Sequence, residues 1–98
     1  MKTYREEVLR TYPIEYEPDM LINGGLGLAA EAGEVCNLIK KQAFQHQEIH
    51  RNALIDELGD VCWYIEILCH ALNVSTEEVK IKNIEKLRKR YPEGAPNE

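Results

Sequence analysis

Four carboxylates stand at matching positions in two copies of one short pattern. The pattern L-x-x-E-x-G-[E/D]-V-C begins at Leu28 and again at Leu54. Each copy carries two acids three residues apart, and residues at that spacing share one face of an α-helix. We therefore expect two helices that each present a pair of carboxylates in one direction. The acids are Glu31 and Glu34 in the first copy and Glu57 and Asp60 in the second.

The helical phase of these acids places them on or beside the apolar stripes of their helices. At about 100° per residue, Glu31 and Glu57 fall inside the stripes. Glu34 and Asp60 fall at the edges. An unpaired carboxylate is costly to bury, so the acids need either a cation among them or raised pKa values. Because every donor is a hard oxygen, a divalent ion such as Mg²⁺ or Mn²⁺ is the simplest solution.

Apolar periodicity and capping signals predict the elements that must position these acids. Thr3-x-x-Glu6 and Ser75-x-x-Glu78 are capping boxes, and no strand pattern competes with the helices. We expect an all-α, four-helix bundle-like domain in which two long antiparallel central helices bring the carboxylate pairs together. The four predicted helices cover about residues 3–11, 18–45, 51–72 and 75–91.

A run of glycines is the weak point of the first long helix. Glycine costs about 1 kcal/mol relative to alanine inside a helix, so Asn23-Gly24-Gly25 predicts a bend or a fresh helix start near Leu26. Gly27 lies one turn before Glu31 on the acidic face. It either leaves room for a ligand or allows close helix contact, and both explanations stay open.

Composition narrows the class of protein. A chain of 98 residues predicts one domain, over residues 1–91, with a flexible tail over 92–98. The sequence has no apolar run long enough to span a membrane and no signal-like start, so a cytoplasmic protein is expected. Its net charge of −5 argues against nucleic-acid binding but not against a phosphate ligand held through metal ions. A helical chain this small often gains stability by forming oligomers.

The histidines and cysteines are further candidates for chemistry. His46 and His50 have the spacing of a helical zinc site, but solvated loop histidines are expected because no supporting ligand stands nearby. The three cysteines, Cys36, Cys62 and Cys69, are expected to be reduced and semi-buried.

Two further groups allow more than one interpretation. Trp63 lies off the acidic face, which indicates a packing or subunit interface, with stacking on a nucleobase as the alternative. Lys86 and Arg90 stand one turn apart, with Asn83 one turn earlier. They form either a solvated basic face or a site for polyphosphate.

Three segments of the chain resemble the MazG-type nucleotide pyrophosphohydrolases of the all-α NTP pyrophosphatase superfamily. They are residues 27–35, 56–64 and 83–91, and the likeness extends from about residue 20 to 91. The resemblance implies Mg²⁺-dependent hydrolysis of the α–β phosphate bond of a nucleoside triphosphate, giving the monophosphate and pyrophosphate, as in nucleotide-pool house-cleaning. It also implies a homodimer or homotetramer with sites completed across subunits.

The resemblance also implies roles for individual residues. Glu31, Glu34, Glu57 and Asp60 match the metal-ligand positions. On chemical grounds Glu34 and Glu57 are the expected catalytic acids, with Glu34 as an acid not fully engaged by metal that accepts the proton of the water. Asn83, Lys86 and Arg90 match phosphate-binding positions. Some relatives carry a lysine four residues before each acidic pair. Here those positions are Gly27 and Ala53, so these phosphate contacts are lacking.

Two other classes of protein remain as alternatives. A helical oligomerisation or adaptor module would pair the acids with Lys40, Lys41, Lys86 or Arg90, without catalysis. A di-iron carboxylate bundle would need Glu-x-x-His pairs, and neither acidic pair here includes a histidine.

Overall fold

The fold consists of four helices, seen in a computed structural model that describes residues 1–12, 16–45 and 50–95. The two long helices form the centre, as the periodicity predicts, and the described residues contain no strand. None of the described helices combines the length and apolar character needed to cross a membrane. The helices are α1 (Tyr4–Arg10), α2 (Glu17–Gln45), α3 (Arg51–Ala71) and α4 (Thr76–Arg90).

The predicted helix ends are confirmed where the caps are visible. Thr3 with Glu6 and Ser75 with Glu78 form capping boxes, in which each hydroxyl accepts the backbone N–H three residues on. At the end of α3, Asn73 adopts a left-handed backbone with φ 57°. The N–H groups of Asn73 and Val74 return to the carbonyls of His70 and Cys69, which is a Schellman ending.

Helices α2 and α3 pack against each other in antiparallel register. Gly24 of α2 contacts Leu68 of α3, and Gly27, further along α2, contacts Tyr64, which is earlier in α3. The two helices therefore run in opposite directions. The glycines therefore produce no break, and α2 runs as one helix through the position where a bend or restart was an option. Close helix contact at these sites offsets the propensity cost that glycine brings.

A small core closes one end of this hairpin. Val8 of α1, Met20 of α2 and Ile67 of α3 are buried together. Leu9, Tyr12, Trp63 and Ala71 pack around them. The core holds α1 against the start of α2 and the second half of α3. As a result, Thr11, which follows α1, contacts Trp63 of α3.

Helix α4 lies at the edge of the molecule. Among the described elements it packs only against α3, and none of its residues is buried. Beyond α4, the Gly94 N–H donates to the Tyr91 carbonyl in a turn. Residues 96–98 lie outside the described part, so the predicted division into a domain and a tail stays a prediction.

The cysteines differ in part from the expectation. All three are free, and Cys69 is buried, but Cys36 and Cys62 are exposed rather than semi-buried.

Candidate metal centre

Three of the four predicted acids meet between the long helices. The antiparallel register places Glu31 of α2 opposite Glu57 and Asp60 of α3. One carboxylate oxygen from each lies within 4.8 Å of the others. Glu31 and Glu57 are half-buried and Asp60 is exposed, which agrees with their helical phases. The geometry therefore gathers three oxygen donors at one point.

The charge of this cluster is not compensated within the described chain. The pKa of Glu57 is raised, mainly because its protonated carboxyl donates a hydrogen bond to Glu31, and then by burial and by the charges of Glu31, Asp60 and Glu34. The ion pairs of the described residues are Arg5–Glu66, Arg10–Glu7 and Lys80–Glu77, none of which includes the cluster. Converging oxygens that no cation of the described residues pairs with fit a hard divalent ion, which would stabilise their charged form.

Glu34, the fourth predicted ligand, stands apart from the other three. It is exposed on α2 and does not lie within the distance that joins Glu31, Glu57 and Asp60. Its charge nevertheless contributes to the raised pKa of Glu57. Glu34 is thus near enough to act on the cluster electrostatically while its own carboxylate remains open to solvent.

A cleft of about 330 Å³ opens beside the cluster. Trp63 forms part of its wall and is held by contacts within the chain. Its Nε1–H donates to the Thr11 hydroxyl at 2.9 Å, and its ring meets Tyr12 edge-on at 5.6 Å between centroids. Contacts within the chain therefore explain the orientation of Trp63, and part of its indole ring also faces the cleft. The residues that line the cleft are Thr11, Glu31, Asp60, Trp63 and Tyr64.

Thr11 and Tyr12 were missed by the sequence reasoning. They follow a short helix, and Thr11 is 52 positions from its partner Trp63, so no local pattern connects them. The local sequence predicts only that the first helix ends before Pro13, because the residue before a proline disfavours the helical conformation. The contact of Val8 with Met20 and Ile67 directs this segment toward α3, and no spacing between residues along the sequence predicts it.

The structure decides between the two explanations for Gly27. A Cβ at this position would overlap the ring of Tyr64. Gly27 therefore allows close helix contact, and the space above it is filled by an aromatic side chain that also lines the cleft. The absent side chain serves the site indirectly, because it leaves the space that the Tyr64 ring occupies against α2.

The predicted phosphate-binding residues are not brought to the acids within one chain. Asn83, Lys86 and Arg90 are exposed on α4 and do not line the cleft. The histidine spacing gains no support either, since His46 lies outside the described residues and His50 is exposed before α3.

Comparisons with known proteins agree with this picture. A family model described as the MazG nucleotide pyrophosphohydrolase domain matches residues 24–95, which include the acidic cluster and α4. The chain is also similar to "Gene 37 protein" of Mycobacterium phage L5, at 37% identity over 73 residues, or 70% of this chain. It spans 64% of that relative's length. No solved structure matches the chain.

Proposed function

Because the chain belongs to the MazG nucleotide pyrophosphohydrolase family, we propose that it hydrolyses nucleoside triphosphates to monophosphate and pyrophosphate with the aid of Mg²⁺. Mn²⁺ has the same preference for oxygen donors and could replace Mg²⁺. The observation that carries the proposal is the meeting of Glu31, Glu57 and Asp60 within 4.8 Å, with no cation of the described chain paired to them.

The residues of the cluster would hold the ion between the two long helices. Bound there, a divalent ion would neutralise phosphate charge and lower the pKa of a water molecule. Glu57 and Asp60 approach from α3 and Glu31 from α2, so the ion site is fixed by the hairpin register rather than by a loop. Fixed donors of this kind suit phosphoryl chemistry, which depends mainly on positioning and charge stabilisation.

Glu34 is the proposed acceptor of the water proton. It is exposed and stands outside the three-oxygen cluster, so its carboxylate stays available when an ion is bound. In the proposed reaction the water oxygen bonds to phosphorus, the α–β bridging bond breaks, and the proton passes to the Glu34 carboxylate. The substrate would enter through the cleft bounded by Trp63 and Tyr64.

Asn83, Lys86 and Arg90 are the proposed phosphate-binding residues, acting in a homo-oligomer. Their basic charge is suited to the β- and γ-phosphates. In the described chain α4 packs only against α3 and does not line the cleft. We therefore propose that these residues bind the phosphates of a substrate held at the acids of another subunit.

A screen of nucleoside triphosphates with Mg²⁺ tests the reaction, with pyrophosphate and single phosphate measured separately. We expect pyrophosphate as the product, and none from Glu57→Gln or Asp60→Asn. Circular dichroism should show unchanged helix content in both variants. Release of single phosphate, or full turnover by either variant, would contradict the proposed site.

Glu77→Gln provides the matched control. It removes the same charge from an exposed side chain that pairs with Lys80 on the surface, where ion pairs contribute little. We expect wild-type turnover from this variant. If the native protein instead gains no thermal stability from Mg²⁺ and shows no turnover, the adaptor interpretation is favoured. Bound iron would favour the di-iron interpretation.

A further inference from the structure

The segment that follows α1 holds one wall of the cleft beside the acids. Trp63 forms that wall, and its indole Nε1–H donates to the Thr11 hydroxyl at 2.9 Å. The Thr11 hydroxyl in turn donates to the Val8 carbonyl at 2.7 Å. Because Val8 is buried in the core, this short chain of hydrogen bonds ties the orientation of the indole to the buried core of the molecule.

Ring contacts also restrain the indole. Tyr12, from the same segment, meets Trp63 edge-on at 5.6 Å between centroids, and Tyr64 meets it edge-on at 4.8 Å. The Tyr12 hydroxyl accepts a hydrogen bond from Asn23 Nδ2 of α2 at 3.3 Å. Edge-to-face ring pairs at these distances are favourable, so Trp63 is held by two rings and, at its nitrogen, by Thr11.

The polar groups of this wall are largely used within the chain. An indole has one N–H and no acceptor, and the N–H of Trp63 is donated to Thr11. A hydroxyl has one donor proton, and that of Thr11 is donated to Val8. Trp63 therefore offers a ligand the surface of its ring. Such a surface suits a nucleobase, because every base has a π-face that can stack on an aromatic side chain.

The position of the wall indicates which part of a substrate it would meet. Glu31 and Asp60 line the same cleft of about 330 Å³. Under the proposed function, on which this inference rests, the triphosphate is held at these acids through the metal ion. The nucleoside attached to the α-phosphate would then extend from the acids into the cleft, towards the ring of Trp63.

We propose that Thr11 is a positioning residue for the substrate, whose hydroxyl holds the Trp63 ring in the orientation that receives the base of a nucleoside triphosphate. Thr11 lies before the part of the chain that the family model matches, so this role belongs to the segment after α1 rather than to the matched region. The hydroxyl contributes to nucleotide binding and not to bond cleavage, which takes place at the acids.

Steady-state kinetics tests this role, because Thr11→Val removes the hydroxyl and keeps the shape of the side chain. We expect KM for nucleoside triphosphates to rise about three- to tenfold, the change that one neutral hydrogen bond supports. The kcat should change by less than about twofold, since the lost interaction contributes to binding alone. Thr11→Ser should restore the native KM. An unchanged KM in Thr11→Val, or a loss confined to kcat, would overturn the proposal.

Two further variants separate the hydrogen bond from general effects of the substitution. In a Trp63→Phe background, Thr11→Val should have no further effect on KM, because the bond is already absent. Thr76→Val is the matched control, since it makes the same change at the start of α4, outside the cleft. We expect native kinetics from it. A rise in KM for Thr76→Val equal to that for Thr11→Val would contradict the assigned role.

Fluorescence gives a readout that does not depend on turnover. Trp63 is the only tryptophan of the chain, so intrinsic emission reports this ring alone. The probe is a nucleoside triphosphate with a methylene group in place of the α–β bridging oxygen, added with Mg²⁺. It should protect Trp63 of the native protein from quenching by acrylamide, and should do so in Thr11→Val only at a higher concentration. Absence of protection in the native protein, which needs no folded variant, would overturn the proposal.

The two measurements distinguish a failure of this role from a failure of the proposed reaction. A native protein in which the probe protects Trp63, more weakly after Thr11→Val, but which releases no pyrophosphate would contradict the reaction and support the positioning role. Pyrophosphate release with equal KM and equal protection in the native protein and Thr11→Val would support the reaction and overturn the role of Thr11.

Discussion

Glu57 links proton binding to metal binding. Its pKa is raised above the ordinary 4.5, mainly by the hydrogen bond that the protonated Glu57 carboxyl donates to Glu31. An ion that binds these oxygens competes with a proton for the Glu57 carboxylate. We therefore expect the Mg²⁺ dissociation constant to decrease as the pH rises from about 4.5 through the raised pKa of Glu57, with proton release in that range. Calorimetry in two buffers of different ionisation enthalpy measures both quantities, and an affinity that does not change with pH would contradict the arrangement.

The same carboxyl also makes the metal-free protein sensitive to pH. A folded-state pKa above the unfolded value gives stability that is present at low pH and lost as the pH rises through the folded pKa. The free energy of unfolding of Glu57→Gln should therefore exceed that of the metal-free native protein at neutral pH. Mg²⁺ at a hundred times its dissociation constant should add about 2.7 kcal/mol to the free energy of unfolding of the native protein and nothing to that of Glu57→Gln.

Urea unfolding at pH 5 and pH 7, with and without Mg²⁺, measures these differences. Glu77→Gln, which changes a charge outside the cluster, should behave as the native protein does in both respects. A Glu57→Gln protein that is less stable than the native one without metal would indicate a structural role for this carboxylate.

At the scale of elements, the contact between Gly27 and Tyr64 sets how closely α2 approaches α3. Gly27→Ala would place a methyl group against a ring that also meets Trp63 edge-on at 4.8 Å. Overpacking of this kind costs about 1–3 kcal/mol. Gly25→Ala is the control, because nothing lies within 4 Å of a Cβ there and alanine favours the helix by about 1 kcal/mol.

The two substitutions should therefore change the melting temperature in opposite directions. The melting temperature should fall for Gly27→Ala and rise for Gly25→Ala, at about 4–8 °C per kcal/mol for a domain of this size. Gly27→Ala should also reduce turnover, since Tyr64 lines the cleft. Equal stabilisation by both alanines would show that the helices can separate at no cost.

Local signals and helical phase were enough to predict most of these elements. Capping boxes depend on residues three apart, and the acidic faces depend on a regular helical rotation, so both were visible in the sequence. The meeting of Glu31 with Glu57 followed once the helices were taken as antiparallel. Gly27 remained open because a missing side chain does not show what fills its place. Thr11 and the Arg5–Glu66 pair depend on contacts between distant segments, which no spacing reveals.

At the scale of the whole molecule, the acids and the cations of the proposed site lie on surfaces that one chain does not bring together. The cluster opens between α2 and α3, whereas Lys86 and Arg90 lie on α4, which packs only against α3 among the described elements. If the partner supplies the cations, every active site combines the acids of one chain with α4 of the other. A chain with altered acids and a chain with an altered α4 could then form one intact site between them.

Mixing two inactive variants tests this arrangement. Asp60→Asn and Arg90→Ala should each lose activity alone. After unfolding and refolding together in equal amounts, they should recover about one quarter of native turnover, because half of the symmetric dimers are mixed and each mixed dimer has one intact site. No recovery would mean that Arg90 acts with the acids of its own chain. Full activity of Arg90→Ala alone would show that Arg90 is not part of the site.

The control is a double variant, Asp60→Asn with Arg90→Ala, mixed with either inactive single variant. This mixture should stay inactive, because no pairing of those chains rebuilds a complete site.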